Sequence, residues 1–118
     1  MKKFSCIIVD DESFSIKHLT QHVRAFEKLS LLETFTDPEI ALQYILGHNE
    51  IDILFTDVDM PNLLGIELAE AVQQNVKHIV FVTSNLKSQI HPTKINKWHY
   101  LGKPASFENF KKILHEIV

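Results

Sequence analysis

Several residue types are scarce in this chain of 118 residues, and each scarcity excludes a class of protein. Its single cysteine, Cys6, cannot form an internal disulfide, which fits a reducing cytoplasm. No apolar run approaches the ~18 residues of a membrane span. The net charge of −3 is too small to indicate wholesale attraction to nucleic acid. We therefore expect a cytoplasmic protein without membrane contact or direct nucleic acid contact.

The length and composition suit one globular core. At 45% hydrophobic content, 118 residues can bury roughly two-thirds of the surface of the unfolded chain. No repeat, low-complexity segment or linker divides the sequence, so we expect a single domain over residues 1–118. Cys6 lies in an apolar run and is expected to be a small buried core residue.

Three strongly apolar segments predict buried strands of a parallel sheet that is covered on both faces. They are residues 4–9, the run 53–55 that leads to Asp57, and residues 78–83. Residues 30–36 and 98–101 mix apolar and polar positions, which predicts two edge strands.

Apolar residues at helical spacing predict a helix after each of the first three strands and another at the end of the chain. Asp37 and Pro38 begin the second helix as N-cap and first helical residue, Gly47 ends it in a left-handed cap, and Ser106 caps the last. The third helix covers residues 64–74. The predicted inward-facing residues are Ile16, Leu19, Val23 and Phe26; Ile40, Ala41, Tyr44 and Ile45; Leu64, Leu68, Ala71 and Val72; and Phe107, Phe110, Leu114 and Ile117.

Residues 85–97 are the least regular part of the sequence. Pro92 removes a backbone donor and would break or kink a helix there, so we expect one short, irregular helical segment.

Strands that alternate with helices at this spacing imply right-handed crossovers and an α/β fold. We predict a flavodoxin-like, doubly wound, five-stranded parallel sheet of order 2-1-3-4-5, with helices on both faces and the three most apolar strands at its centre. This order brings Asp10, Asp11 and Asp57 together at the carboxyl edge of the sheet, where ligands bind in such folds.

Three adjacent carboxylates have a definite chemical consequence. Each close pair repels by roughly 4 kcal/mol at an effective dielectric constant of 20 unless it is protonated or bridged by a cation. Oxygen ligands without histidine or cysteine favour Mg²⁺. A carboxylate beside Mg²⁺ can attack a phosphoryl group, which makes Asp57 a candidate phosphoacceptor. Thr83 and Lys103, at other strand ends, could bind the phosphoryl oxygens.

Four segments, in order and spacing, resemble the receiver domain of bacterial two-component response regulators over essentially all 118 residues. They read IIVDDE (7–12), TDVDMPNLLG (56–65), VTS (82–84) and YLGKP (100–104). The resemblance implies that Asp57 is phosphorylated, that Asp11 binds Mg²⁺ directly and that Asp10 acts through metal-bound water. The backbone carbonyl of Asp59 would complete the protein ligands.

The same resemblance implies a switch pair, Thr83 and Tyr100, in which the hydroxyl moves toward the phosphoryl group and the aromatic ring turns inward. Lys103 would contact the phosphoryl group, with a cis peptide before Pro104. A sensor histidine kinase is the implied phosphodonor. The closing YLGKPASFENF is similar to receivers that precede LytTR-type DNA-binding domains, which implies a fused output domain and transcription regulation.

Several residues depart from the family pattern. Asp59 adds negative charge near the metal, so we predict that Mg²⁺ affinity or phosphoryl lifetime differs from that of Asp59→Asn. Pro92 disturbs the expected fourth helix, and the Ser84 hydroxyl could support or compete with Thr83. The lysines from 85 to 103, without an acid among them, form either a solvated face or a surface for an acidic partner; they are Lys87, Lys94, Lys97 and Lys103.

Three functional interpretations follow. The leading one is a phosphoacceptor signalling module that catalyses only its own phosphorylation and dephosphorylation. A degenerate receiver that acts as a binding module is the second. The third is a phosphatase of the haloacid-dehalogenase type, because Asp57 and Asp59 form a DxD pair, although Pro61 stands where that family has threonine. His18 and His22 lie one helical turn apart, and we interpret them as part of a solvated face rather than a metal pair.

Overall fold

Strands and helices alternate along the chain in the computed structural model, which describes residues 3–48 and 50–118. Within those residues, no helix is long and apolar enough to cross a bilayer. The elements, in chain order, are β1 Phe4–Val9, α1 Ser13–Ala25, β2 Leu29–Phe35, α2 Pro38–Leu46, β3 Ile51–Thr56, α3 Gly65–Val72, β4 Val76–Thr83, β5 His99–Gly102 and α4 Phe107–Ile117.

All five strands are parallel and lie in the order β2-β1-β3-β4-β5. This is the predicted flavodoxin-like order, with the three most apolar strands at the centre. Helices α2 and α3 cover one face of the sheet, and α1 and α4 cover the other. The fold prediction is therefore confirmed.

The apolar character of β1 follows from the coverage of both faces. Ile7 and Val9 pack on the side of α2 and α3, whereas Cys6 and Ile8 pack on the side of α1 and α4. Burial, together with the negative charge of Asp52, raises the pKa of the Cys6 thiol to about 12. The thiol is therefore an inert core group, as predicted.

The two predicted N-caps are confirmed, but the predicted left-handed cap at Gly47 is wrong. The Asp37 side chain accepts a hydrogen bond from the Glu39 backbone N–H (2.9 Å), and the Ser106 hydroxyl accepts one from the Asn109 N–H (3.1 Å). Gly47 has φ −84°, not a left-handed conformation. Its N–H donates to the Tyr44 carbonyl (3.2 Å), and this turn closes the helix without a positive φ.

Some boundaries and inward-facing residues also differ from the prediction. Strand β2 begins and ends one residue earlier, β5 begins and ends one residue later, and β4 begins two residues earlier. Helix α3 begins at Gly65 and ends at Val72, because a turn from the Asn75 N–H to the Val72 carbonyl (2.8 Å) leads into β4.

Helical geometry explains the wrong inward assignments. In α3 the buried stripe runs through Leu68, Ala69 and Val72, which leaves Leu64 46% exposed and Ala71 exposed. In α2 the stripe runs through Pro38, Ala41 and Ile45. Ile40 is consequently turned outward and is 58% exposed.

The segment between β4 and β5, described throughout, contains one 3₁₀ turn at Lys87–Gln89 and no α-helix, in agreement with the prediction for residues 85–97. Buried Ile90 and Ile95 attach it to the core. A carboxylate oxygen of Glu70 on α3 accepts hydrogen bonds from the backbone N–H groups of Thr93 and Lys94 (3.2 Å each). A side chain thus satisfies backbone groups that a helix would have paired.

Two histidines on neighbouring strands approach each other beside α4. The ring centroids of His78 on β4 and His99 on β5 lie 6.4 Å apart, and the Nδ1 atom of His99 is 3.9 Å from a Glu116 carboxylate oxygen. Burial lowers the pKa of both rings; the charge of His99 lowers that of His78 further, while Glu116 opposes the lowering at His99.

These lowered pKa values predict a loss of stability in mild acid. Both pKa values lie below the ordinary 6.5, so the unfolded chain binds more protons just below that pH. The free energy of unfolding should be fully retained above about pH 6.5 and should fall as the pH drops through the folded-state values. The double variant His78→Gln, His99→Gln should reduce this fall by less than about 1 kcal/mol, since both rings are partly solvated.

The measurement is urea unfolding at several pH values between about 7.5 and 5.5. His91→Gln is the matched control, because His91 is an exposed histidine outside this pair. An identical pH dependence in the wild type and the double variant would contradict the assignment.

Candidate functional site

Three acidic side chains converge where β1 and β3 end. Backbone hydrogen bonds position two of them: the Asp10 N–H donates to the Phe35 carbonyl and the Asp57 N–H to the Val9 carbonyl (3.0 Å each). Carboxylate oxygens of Asp10, Asp11 and Asp57 lie within 4.8 Å of one another. Asp10 and Asp57 are buried, whereas Asp11 is exposed. The parallel pairing of β1 with β3 therefore produces the predicted cluster of acids.

Lys103 lies between two of these acids. Its ammonium nitrogen is 2.6 Å from an Asp10 oxygen and 3.1 Å from Asp57 Oδ2. The exposed Glu12 carboxylate lies farther away, at 3.7 Å. The Lys103 N–H donates to the Thr83 carbonyl (2.8 Å), which joins this residue to the end of β4. Lys103 thus neutralises part of the negative charge within the protein itself.

Burial and charge have opposite effects at this ion pair. Burial raises the pKa of the Asp10 carboxyl, against the hydrogen bonds from Lys103 and the Glu12 N–H. Burial alone would lower the pKa of the Lys103 ammonium, but its hydrogen bonds and charge interactions with Asp10 and Asp57 hold that pKa above its ordinary value. The ammonium therefore stays protonated at neutral pH.

Both oxygens of the Asp57 side chain have partners. Oδ1 accepts a hydrogen bond from the Val58 N–H (2.7 Å), and Oδ2 faces Lys103. The hydroxyl of Thr56 donates to the Asp57 carbonyl (3.0 Å). These contacts hold the carboxylate in one orientation at a cleft of about 260 Å³, whose lining includes Asp11, Asp59 and Thr83.

The loop after Asp57 depends on a glycine. The Gly65 N–H donates to the Val58 carbonyl (2.8 Å). A Cβ atom at position 65 would lie 1.7 Å from the backbone oxygen of Asp57, which no side chain permits. The loop also turns at Asn62, a non-glycine residue with φ 71°. Local sequence patterns do not reveal this role of Gly65, because the close approach is a tertiary contact.

Asn85 connects the two predicted switch residues. Its backbone N–H donates to the buried Thr83 hydroxyl (3.2 Å), and its carbonyl accepts a hydrogen bond from the Tyr100 hydroxyl (2.7 Å). Its side-chain amide donates to an Asp59 carboxylate oxygen (2.8 Å). Sequence reasoning did not select Asn85, since two of these three partners, Asp59 and Tyr100, become neighbours only after folding.

The remaining predicted residues are placed as follows. The side chains of Asp59 and Ser84 are exposed, and the peptide between Lys103 and Pro104 is cis. The exposed lysines are Lys87, Lys94 and Lys97, whereas Lys103 is ion-paired in the site and does not belong with them. The interpretation of His22 as a solvated residue is wrong: it is half-buried, and its Nε2–H donates to the Ala105 carbonyl (2.7 Å).

Known proteins share both this sequence pattern and this fold. The family described as the response regulator receiver domain matches residues 6–115. The chain belongs to this family. MrkE of Klebsiella pneumoniae is 28% identical over 118 residues, which cover 98% of this receiver domain and 44% of MrkE. The transcriptional regulatory protein YpdB of Escherichia coli K12 is 29% identical over 113 residues, covering 94% and 46%.

Solved structures agree with the family assignment. The response regulatory domain of MrkE superimposes with a TM-score of 0.83 at 25% identity, over 97% of this chain and 94% of that one. The chemotaxis response regulator CheY4 of Vibrio cholerae gives 0.82 at 21% identity, over 99% and 100%, and shows the fold alone. The chain thus spans less than half the length of MrkE and YpdB but nearly all of the MrkE domain structure.

The close approach at position 65 predicts a large loss of stability in Gly65→Ala. The added methyl group must displace the backbone that carries Asp57, and such overpacking costs about 3 kcal/mol in the free energy of unfolding. Urea denaturation measures the change.

Gly47→Ala is the matched control. Its Cβ would meet the Tyr44 carbonyl oxygen at 3.5 Å, an ordinary contact, and φ is negative there. We expect this variant to gain about 0.5 kcal/mol from the reduced entropy of the unfolded chain. Equal stabilities of the two variants would refute the role of Gly65.

Proposed function

We propose that this receiver domain accepts a phosphoryl group on Asp57 from a sensor histidine kinase in a two-component system. The observation that carries the proposal is the environment of the Asp57 carboxylate. It is oriented by the Val58 N–H and Lys103, adjoins two further acids and borders an open cleft. In the reaction, an Asp57 oxygen forms a bond to phosphorus while the bond from phosphorus to the donor breaks.

The charge of the site suits a divalent cation. Three carboxylates and one ammonium leave two negative charges, apart from the exposed Glu12. The hard oxygen ligands favour Mg²⁺, held by Asp10, Asp11, Asp57 and the Asp59 backbone carbonyl. When bound, the ion would offset negative charge on the incoming phosphoryl group. Asp10 would act through a metal-bound water, consistent with its ion pair to Lys103.

Lys103 and Thr83 would then contact the phosphoryl oxygens. Phosphorylation adds roughly −1.5 to −2 charges at Asp57, which attracts the ammonium and a hydroxyl donor. A Thr83 hydroxyl that turns toward the phosphoryl group loses its bond from the Asn85 N–H, and Asn85 also holds the Tyr100 hydroxyl. The proposed switch is therefore a change in the populations of two arrangements of Thr83, Asn85 and Tyr100.

The same proposal gives the domain a cellular location and an output. Residues 1–118 would form one cytoplasmic receiver domain that catalyses only its own phosphorylation and dephosphorylation. MrkE and YpdB are longer, which supports an output domain, and the closing motif favours one of the LytTR type for transcription regulation. The exposed lysines Lys87, Lys94 and Lys97 would form either a solvated face or a surface for an acidic partner.

Intact mass spectrometry after incubation with acetyl phosphate and Mg²⁺ tests the phosphoacceptor. The wild type should gain one phosphoryl group, and Asp57→Ala should gain none. A phosphoryl adduct that persists in Asp57→Ala would eliminate the proposed acceptor. A wild type that stays unlabelled would favour a degenerate receiver, and continued hydrolysis of a phosphomonoester would favour a phosphatase of the haloacid-dehalogenase type.

Asp59→Asn should change Mg²⁺ affinity or phosphoryl lifetime. The variant keeps an oxygen acceptor for Asn85 and removes one negative charge. Because the side chain is exposed and screened, we expect a weakening of Mg²⁺ binding of about twofold to fivefold. Mg²⁺ titration and the decay of the phosphorylated form supply the two measurements. Glu39→Gln, a charge change on exposed α2, is the control; identical values for Asp59→Asn and the wild type would contradict this prediction.

A further inference from the structure

His22 connects helix α1 to the loop that carries Lys103. Its Nε2–H donates to the Ala105 carbonyl at 2.7 Å, and a carbonyl can only accept, so the hydrogen lies on Nε2. The ring packs against Phe107 and Phe110 of α4, with centroid separations of 5.5 and 5.6 Å. The two phenylalanine rings therefore restrain the imidazole that donates this hydrogen bond.

The Ala105 carbonyl depends on this donor. Ala105 is 3% exposed, and in the described part of the chain no other donor reaches its carbonyl oxygen. Ser106, the next residue, uses its own carbonyl and hydroxyl to start α4. Loss of the imidazole would leave a buried acceptor unpaired, and the backbone from 103 to 106 would shift to recover a partner.

The loop has a second attachment at its other end. The Lys103 N–H donates to the Thr83 carbonyl at 2.8 Å, and the Lys103 ammonium lies between Asp10 and Asp57. His22 therefore supplies a hydrogen-bonded contact from α1 to the short connection between β5 and α4. A displacement of Ala105 is transmitted over two residues to Lys103.

We propose that His22 is a positioning residue for Lys103. It holds the Ala105 carbonyl, and through this loop it keeps the ammonium at the distance from Asp57 that phosphoryl transfer requires. The functional part of this inference rests on the proposed phosphorylation of Asp57; the placement of the Lys103 ammonium does not.

The first test is the rate of labelling by acetyl phosphate and Mg²⁺ in the full chain. His22→Leu removes the donor and should slow labelling about fivefold. An effect of this size lies within the range of interaction free energies measured for residues in one hydrogen-bond network. His22→Gln places an amide N–H near the position of Nε2 and should restore most of the rate. His115→Leu is the control, since His115 is exposed and packs against Phe26 of the same core.

A double-mutant cycle separates positioning from general destabilisation. In a Lys103→Met background, His22→Leu should change the labelling rate by less than about twofold while its effect on unfolding persists. An equal loss of rate in both backgrounds would show that His22 acts only through stability and would overturn the proposal.

A second readout does not require phosphorylation. Competitive acylation with acetic anhydride, measured by peptide mass spectrometry, should find Lys103 several-fold more reactive in His22→Leu than in the wild type, relative to exposed Lys17 on α1. Unchanged reactivity of Lys103 would overturn the positioning role. If the wild type accepts no phosphoryl group, the proposed function fails, and acylation alone decides the placement of Lys103 by His22.

Discussion

Charge balance at the carboxyl edge of the sheet is the constraint on which the site depends. Strands β1 and β3 are each followed directly by an acid, and their parallel pairing makes these acids neighbours. The Lys103 ammonium compensates part of that charge, at 2.6 and 3.1 Å from Asp10 and Asp57. Without such a cation, two partly buried carboxylates would repel each other, or one of them would take up a proton. The position of the β5–α4 loop is therefore an electrostatic requirement as well as a packing one.

Backbone contacts hold the site on three sides. Gly65 lets the start of α3 touch the Asp57 peptide, Asn85 joins the end of β4 to Tyr100, and His22 joins α1 to the loop after β5. Each contact ends on a backbone carbonyl. Because backbone positions change less readily than side-chain rotamers, these contacts fix the loops that surround the carboxylates.

The sheet order, the covered faces and the convergence of acids were predictable, because they follow from apolar runs and the residues that end them. The prediction failed where tertiary contacts determine which residues are buried and which polar side chains are hydrogen-bonded. Ile40 and Leu64 are apolar yet exposed, since Ile40 lies outside the buried stripe of α2 and Leu64 precedes the first residue of α3. Asn85, Glu70 and His22 are polar residues with ordinary local sequence. Their long-range partners lie between 15 and 83 positions away, beyond the reach of any local pattern.

The contacts that hold residues 90–95 determine how this part of the surface can change its conformation. A helix unwinds cooperatively, because each of its turns supports the next. This segment is instead held by two isoleucine side chains and the hydrogen bonds to one carboxylate, that of Glu70. Loss of the Glu70 carboxylate would therefore free the Thr93 and Lys94 N–H groups without melting a helix.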